Sequence, residues 1–406
     1  MIKKDKIVAG HDISAGGMIT CLLECSFSNP ELGAMINLSE LGEGDLIKLL
    51  FSENAGIIMQ AADDTIESEL SDAGIPFNKI GVVTDSGMIQ LMHSDMVDFD
   101  VEECRDHWFE TSYLLDQHQT ANGLAKVRFE QYKHQPLNFS FPNAFNGLKP
   151  TINAQQRPQA AIIREKGSNS ERELAHALFL AGFDVRDVHM TDLISGRETL
   201  EDVRFLGAVG GFSNSDVLGS AKGWAGAFLY NDKARESLNR FFERDDVLSI
   251  GICNGCQLFI ELNLINPDHV QPSKMHWNNS QKHESAFTSV KVRENNSVML
   301  SSLAGSTMGV WISHGEGKFH LPESESSYDI VANYGYADYP SNPNGSDYNA
   351  AMISSDDGRH LVTMPHIERS IFPWNWAYYP TDRSDEVSPW IQAFVNAREW
   401  IEKKGI

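Results

Sequence analysis

Gly251-Ile252-Cys253-Asn254-Gly255-Cys256-Gln257 sets one cysteine between two glycines, after the apolar run Val247 to Ile252 and before a helix through Leu258, Phe259, Ile260 and Leu262. A reactive side chain on a sharp strand-to-helix turn needs small neighbours, because the backbone is strained and adjacent Cβ atoms would clash. The helix N-terminus also favours a thiolate, drawing the thiol below its free pKa of about 8.5. Cys253 is therefore the candidate nucleophile, against the alternative of a buried structural cysteine in a glycine-rich turn. Cys256 falls one helical turn later and reads as a core residue. The C-x-x-C spacing also admits half of a zinc site or a redox pair, but no second C-x-x-C or H-x-x-x-H follows to complete four ligands.

A thiolate nucleophile needs a base, and the base needs an orienting acceptor. Met364-Pro365-His366-Ile367-Glu368 offers both at a spacing of two, which in an extended segment puts His366 and Glu368 on one side. Acyl transfer further requires donors for an oxyanion. The glycine-rich loop Gly210-Gly211-Phe212-Ser213-Asn214-Ser215-Asp216 follows an apolar strand, so Gly211 and Phe212 are candidate positions. The N–H of Asn254, next after the nucleophile, is the second donor.

Those residues require a scaffold that brings strand ends together. From 158 to 406 the sequence alternates strand and helix. Strands are expected at Ala160 to Ile163, Val185 to Val188, Phe205 to Val209 and Val247 to Ile252, with a helix starting at Ser170 and another around Ala234 to Phe242. Ser170 and Glu173 have capping-box spacing. The alternation argues for a parallel sheet with crossover helices, and Asp356-Asp357-Gly358 for a hairpin between Ala350 to Ser354 and His360 to Met364. Residues 1 to 103 read as a small α+β domain, with helices at Met18 to Cys25, Leu46 to Phe51 and Thr65 to Ala73 and strands at Gly56 to Ala61 and Ile80 to Thr84. Residues 104 to 157, rich in Gln, Asn, His and Pro, read as a linker wrapped on neighbouring surfaces, led by a helix from Val101 to Asp116.

The chain has 406 residues, 41% of them hydrophobic, enough for two or three domains. With 33 Lys plus Arg against 56 Asp plus Glu, the net charge of -23 repels a phosphate backbone, and nucleic acid is not expected as a partner. No apolar run of signal-peptide or membrane-spanning length occurs, so no membrane association and a cytoplasmic location are expected. Five cysteines, an odd and scattered count, read as thiols in a reducing compartment.

GICNGCQ, GGFSNSDVLG, SHGEGKF, YPSNPNGS and MPHIERS, in this order, resemble the glutaminase domain of the phosphoribosylformylglycinamidine synthase family in its long single-chain form. The similarity covers essentially the whole chain. His11 to Gly17 is similar to the His-Asp-x-Ser-x-Gly-Gly element of the family's second aminoimidazole-ribonucleotide-synthetase-like repeat. The resemblance implies an α/β fold, a class I glutamine amidotransferase with a flavodoxin-like parallel sheet, preceded by a partial α+β synthetase-like domain. It implies glutamine as amido donor for the ATP-dependent conversion of formylglycinamide ribonucleotide to its amidine, with ammonia passed internally. By motif, Cys253, His366 and Glu368 are its catalytic triad, and Gln257 helps hold glutamine. Asp12 corresponds to a position contacting nucleotide-bound Mg2+ and Ser14 to one contacting ATP. The alternative for this pair is a helix cap before the Gly-Gly turn.

Two departures stand out. Asn214-Ser215 replace a commoner Tyr-Gly in the oxyanion loop, and Ile367 replaces a commoner Pro beside His366. The family enzyme is far longer, so the chain reads as a C-terminal fragment or one subunit of a split enzyme, with the ribonucleotide and most of the ATP site in domains it lacks. Rival readings are a non-catalytic scaffold subunit and a cysteine hydrolase of peptides or esters.

Overall fold

The computed structural model describes residues 1–134, 137–152 and 157–405. Parts of the expected linker, 135–136 and 153–156, and the last residue of the expected glutaminase domain, 406, lie outside the described residues. The chain divides into two units, Met1–Asp116 and Gln117–Ile406.

In the first unit, strand β1 (Ile7–Ile13) leads to helix α1 (Gly17–Phe27), then β2 (Gly33–Asn37), α2 (Leu46–Phe51), β3 (Gly56–Ala61), α3 (Thr65–Asp72), β4 (Gly81–Thr84), β5 (Met88–Met92), β6 (Met96–Asp100) and α4 (Val101–Asp116). β1 pairs antiparallel with β3, and a second sheet has the order β4-β2-β5-β6. Met18, Ile19 and Leu22 of α1 recur at helical spacing and bury against Ile36, Leu50, Ile89 and Leu91. Residue 103 lies within α4, which runs unbroken to Asp116. Trp108 on α4 donates to Glu24 Oε1 at 2.9 Å and its ring meets Phe27 at 5.9 Å, which fixes α4 on α1 in this unit.

The second unit opens with α5 (Leu124–Gln131), where Arg128 donates to the buried Glu284 at 2.6 Å. Phe139 and Phe141 then pack edge-on against Trp376. Beyond them come β7 (Gln159–Arg164), α6 (Glu171–Ala181), β8 (Asp184–His189), α7 (Met190–Ser195), β9 (Phe205–Ala208), α8 (Lys222–Leu229), α9 (Asp232–Glu243), β10 (Leu248–Ile252) and α10 (Asn254–Glu261). The rest is β11 (Lys274–His276), β12 (Glu284–Val292), β13 (Thr307–His314), β14 (Lys318–His320), β15 (Asp329–Tyr334), β16 (Ala350–Ser354), β17 (His360–Thr363) and α11 (Ile391–Lys403).

Among the described residues the main sheet has nine strands, ordered β13-β12-β15-β16-β17-β10-β9-β7-β8. From β8 through β7, β9 and β10 to β17 every pairing is parallel. This is the flavodoxin-like 2-1-3-4-5 order, whose ligands gather at the carboxyl ends of the strands. β9, β10 and β17 are buried at every position, as strands covered on both faces must be. The expected hairpin is β16–β17, with Gly358 at φ 73 in its turn. It starts an antiparallel half, β16-β15-β12-β13, that the alternation of strand and helix did not indicate.

Leu174, Ala177, Leu178 and Ala181 make one buried face of α6. The capping box expected at its start does not form. Ser170 has φ 74 and makes no side-chain cap; its hydroxyl instead accepts the N–H of Gly210 at 3.3 Å, because the loop after β9 passes there. All five cysteines are free. Among the described residues no helix is long and apolar enough to cross a membrane.

Candidate active site

Cys253 stands between β10 and α10 with φ 51 and ψ -104, a backbone conformation that L-residues adopt only when their surroundings enforce it. The enforcement is visible. Cys253 N donates to Thr363 O on β17 at 2.8 Å, and a Cβ added at Gly255 would lie 2.1 Å from Ala208 O on β9. One added at Gly251 would lie 2.6 Å from Gly255 O, so both glycines let the turn close against the sheet. The thiol is buried, with Sγ 3.5 Å from Ser313 O at the end of β13. Cys256 is fully buried, and burial pushes its thiol up, with the charge of Cys253 adding to the effect.

His366 and Glu368 follow β17, the strand beside β10. His366 N donates to Trp311 O at 2.8 Å, which pins the turn to β13. Glu368 lies in a short 3-10 turn, Ile367–Arg369, rather than in the extended segment expected from the spacing; the turn still brings its Oε1 to 2.7 Å from His366 Nδ1. Ile367 is fully buried, so its side chain anchors the turn in the core. Burial by itself pushes the imidazole pKa down, but the charges of Glu368 and Cys253 and hydrogen bonds to both outweigh it, and the pKa is raised. Burial likewise pushes the Glu368 carboxyl up, and His366 more than reverses this, leaving it below its ordinary value. A buried pair held this way fixes the tautomer and plane of the imidazole.

The loop after β9 closes the third side. A Cβ at Gly210 would meet His366 Cε1 at 2.8 Å and Cys253 Cβ at 3.4 Å. Gly211, at φ 113, bridges to Ser168 through Asn169 N to Gly210 O and Phe212 N to Gly167 O, which leaves the Gly211 N–H out of the bridge. The Phe212 N–H is thus committed to Gly167, while its half-exposed ring lies 5.8 Å from that of His283. Asn214, Ser215 and Asp216 are all left-handed, at φ 53, 57 and 51. An L-residue there costs about 1–2 kcal/mol, a strain that glycine would not carry. Ser215 is exposed, so Ser215→Gly removes strain without removing packing. Offset by the looser unfolded chain, the net gain is about 0.5 kcal/mol, and thermal melting should rise by about 1–2 °C.

Asn254 and Gln257, both buried, tie this loop to another. Ser213 N donates to Asn254 Oδ1 at 3.1 Å, Asn254 Nδ2 to Gln257 Oε1 at 2.9 Å, and Gln257 Nε2 to Glu316 O at 2.8 Å. Both ends of the Gln257 amide are therefore engaged within the protein. Glu316 belongs to the turn between β13 and β14, which is held from beyond by Asn344, whose Nδ2 donates to Gly317 O at 2.7 Å. His314 in the same stretch is buried, and its pKa is pushed down to about 3 by burial and by the charges of His366 and His283. Burial thus favours its neutral form. Sequence reasoning assigned no role to Gly210, His314, Glu316 or Asn344; the SHGEGKF and YPSNPNGS stretches pointed to the right segments but not to what they hold.

Asp12 and Ser14 lie in the first unit. Asp12 is in β1 opposite Ile57 with its side chain 77% exposed, and Ser14 is exposed. Neither caps α1, whose N-cap is Gly16 at φ 81 with no side-chain bond, so the helix-cap alternative does not hold. One carboxylate and one hydroxyl supply at most two of the about six oxygens that Mg2+ requires. Among the described residues no group of three or more His, Cys, Asp or Glu side chains is placed to hold a metal. The described residues do not by themselves fit a nucleotide-bound metal.

Comparison with known proteins agrees with this layout. Residues 157–401 match the family model described as CobB/CobQ-like glutamine amidotransferase domain, and residues 1–94 match AIR synthase related protein, C-terminal domain. A probable phosphoribosylformylglycinamidine synthase, chloroplastic/mitochondrial, from Arabidopsis thaliana is 36% identical over 99% of this chain and 30% of its own length. The phosphoribosylformylglycinamidine synthase of Homo sapiens is 36% identical over 98% of this chain and 32% of its own length. The chain spans about a third of the length of these relatives. A solved structure of PurLQS from Thermotoga maritima aligns with a TM-score of 0.48 at 23% identity, covering 60% of this chain and 99% of that one. The sheet order, the strained cysteine at its centre and the matched span of 157–401 lead to one conclusion: the chain belongs to the CobB/CobQ-like glutamine amidotransferase family.

Proposed function

We propose that the chain hydrolyses glutamine at Cys253 and supplies the ammonia for ATP-dependent conversion of formylglycinamide ribonucleotide to formylglycinamidine ribonucleotide, in purine biosynthesis. The observation that carries the reading is the strained Cys253 beside His366, itself 2.7 Å from a buried carboxylate, at the carboxyl ends of parallel strands. The Cys253 thiolate attacks the glutamine carboxamide, and the C=O electrons move onto oxygen, where the N–H groups of Gly211 and Asn254 receive them. As the oxyanion collapses the C–N bond breaks, and His366 gives its proton to the departing ammonia. Water then adds to the γ-glutamyl thioester, His366 takes the water proton, and glutamate leaves as the thiol is restored. Gln257 acts by holding the Glu316 turn beside the nucleophile.

ATP, Mg2+ and the ribonucleotide belong to this reading as ligands of domains that work with this chain, with Asp12 and Ser14 contributing at most an edge of that site. A reducing compartment such as the cytoplasm suits five free thiols.

The purified chain is expected to release glutamate from glutamine slowly, and a diazo ketone analogue of glutamine to label Cys253 alone among the five cysteines. No amidine is expected from the chain with ATP, Mg2+, glutamine and ribonucleotide, and amidine formation is expected once a polypeptide carrying the remaining synthase domains is added. Peptide mapping and an amidine assay read the two arms. Equal labelling of Cys256 would sink the nucleophile assignment, and amidine from the chain alone would overturn the division of labour.

A further inference from the structure

The turn from Ser313 to Gly317 offers its carbonyls to the two most important residues of the elbow: Ser313 O to Cys253 Sγ and Glu316 O to Gln257 Nε2. With glycines at 315 and 317 it has few side chains with which to anchor itself. Ser313 Oγ meets His283 Nε2 at 3.0 Å and Glu316 Oε2 accepts the N–H of Ser220 at 3.2 Å; the rest of what fixes the turn is its own main chain, three of whose groups end on one residue. Asn278 is completely buried. Its N–H donates to Gly315 O at 2.9 Å, its Nδ2 to His314 O at 2.7 Å, and its Oδ1 accepts Gly317 N–H at 3.1 Å. Nδ2 also reaches Lys282 O at 3.0 Å, closing the segment that carries Asn278 on itself. An amide with donor and acceptor a fixed distance apart suits a turn that presents a carbonyl and an N–H; neither a carboxylate nor a hydroxyl can reproduce it.

We infer that Asn278 is a positioning residue for glutamine: it touches none of the reacting atoms, and it holds the 313–317 turn at the place where the amino-acid end of the substrate must lie for its carboxamide to meet Cys253. The inference rests on the glutaminase reading. Cys253, His366 and Glu368 make no bond to Asn278, and the carbonyl of the turn that meets the thiol, Ser313 O, is held in the β12–β13 ladder, so the intrinsic reactivity of the thiol is expected to change far less than substrate alignment. Loosening the turn by about 1 Å is enough to cost about 10- to 100-fold in a reaction that requires substrate alignment.

The test compares the rates at which Cys253 is modified by the diazo ketone analogue of glutamine and by iodoacetamide, a small electrophile that needs no binding site. In Asn278→Ala and Asn278→Asp the ratio of the two rates is expected to fall about 10-fold or more, through the analogue alone, with KM for glutamine rising. Asn278→Asp keeps the acceptor for Gly317 and loses both donors. Asn396→Ala is the control for general loosening, since it removes bonds to Met299 O and Ser302 in the α11 region instead. Its ratio should stay at the wild-type value whatever its melting temperature. A wild-type ratio in both Asn278 variants, or an equal fall in the control, overturns the inference and leaves the glutaminase reading standing. Failure of both variants to fold makes Asn278 a folding residue and also overturns it. Absence of any preference for the analogue in the wild-type chain removes the glutaminase reading and this inference together.

Discussion

Glu368→Gln should lower the rate of glutamine hydrolysis by about three to four orders of magnitude while the chain still folds, because the substitution keeps the shape and removes the charge that orients and supports the imidazolium. The expectation follows from the 2.7 Å contact to His366 Nδ1 and from the burial of both groups. In the wild-type chain the raised pKa of His366 means that its stabilising contribution is complete below its ordinary value of 6.5 and is lost as pH rises through the raised value. The lowered pKa of Glu368 means the opposite: its contribution is complete above 4.5 and is lost as pH falls through the lowered value. The charged pair therefore persists across the whole range between those ordinary values. In the variant, burial is no longer opposed by the carboxylate, and His366 loses its proton at lower pH. The residual activity should accordingly show an alkaline limb moved to lower pH. A pH–rate profile checks both the size of the loss and the direction of the limb. A near-wild-type rate, or a limb that does not move, would place the orienting group elsewhere.

Gly210→Ala should reduce glutaminase activity by about 100-fold with a much smaller effect on melting. The added methyl would lie 2.8 Å from His366 Cε1, closer than Cβ atoms approach anything, and 3.4 Å from Cys253 Cβ, which is ordinary contact. Of these two the imidazole must give way. It is held on its other side by Glu368 and through its backbone by Trp311 O, so a shift of about 1 Å breaks the alignment on which proton transfer depends. Labelling of Cys253 by iodoacetamide should slow far less than glutamine turnover, because a neutral alkylating agent does not need the general acid. Unchanged turnover would mean that the loop after β9 can retreat from the site at no cost.

The same loop illustrates why neighbouring positions differ. Gly210 is required by space, whereas Ser215 occupies a left-handed conformation that glycine would relieve, so one substitution toward a larger residue harms and one toward glycine helps.

The sequence by itself determined the nucleophile's surroundings and the parallel half of the sheet. Glycines on both sides of Cys253, a continuous apolar strand before it, and strand–helix alternation from 160 onward are local signals, because a crossover unit buries each strand with its own helix. The proximity of His366 and Glu368 was legible as a spacing, but the 3-10 turn that achieves it was not, since three residues after a proline carry no periodicity. The start of α6 was legible and its cause was not: Ser170 turns from capping its own helix to accepting the N–H of Gly210, a partner 40 residues away. The antiparallel strands β12, β13 and β15 stayed hidden because their mixed burial pattern follows the faces of a finished sheet and shows neither a continuous apolar run nor a strict alternation. Only the tertiary structure decided that Asn278, Asn344 and Gln257 meet around one turn. Asparagine and glutamine are surface-type residues in composition, and their value as buried clasps arises only when side chains from three distant segments converge on the main-chain groups of one turn.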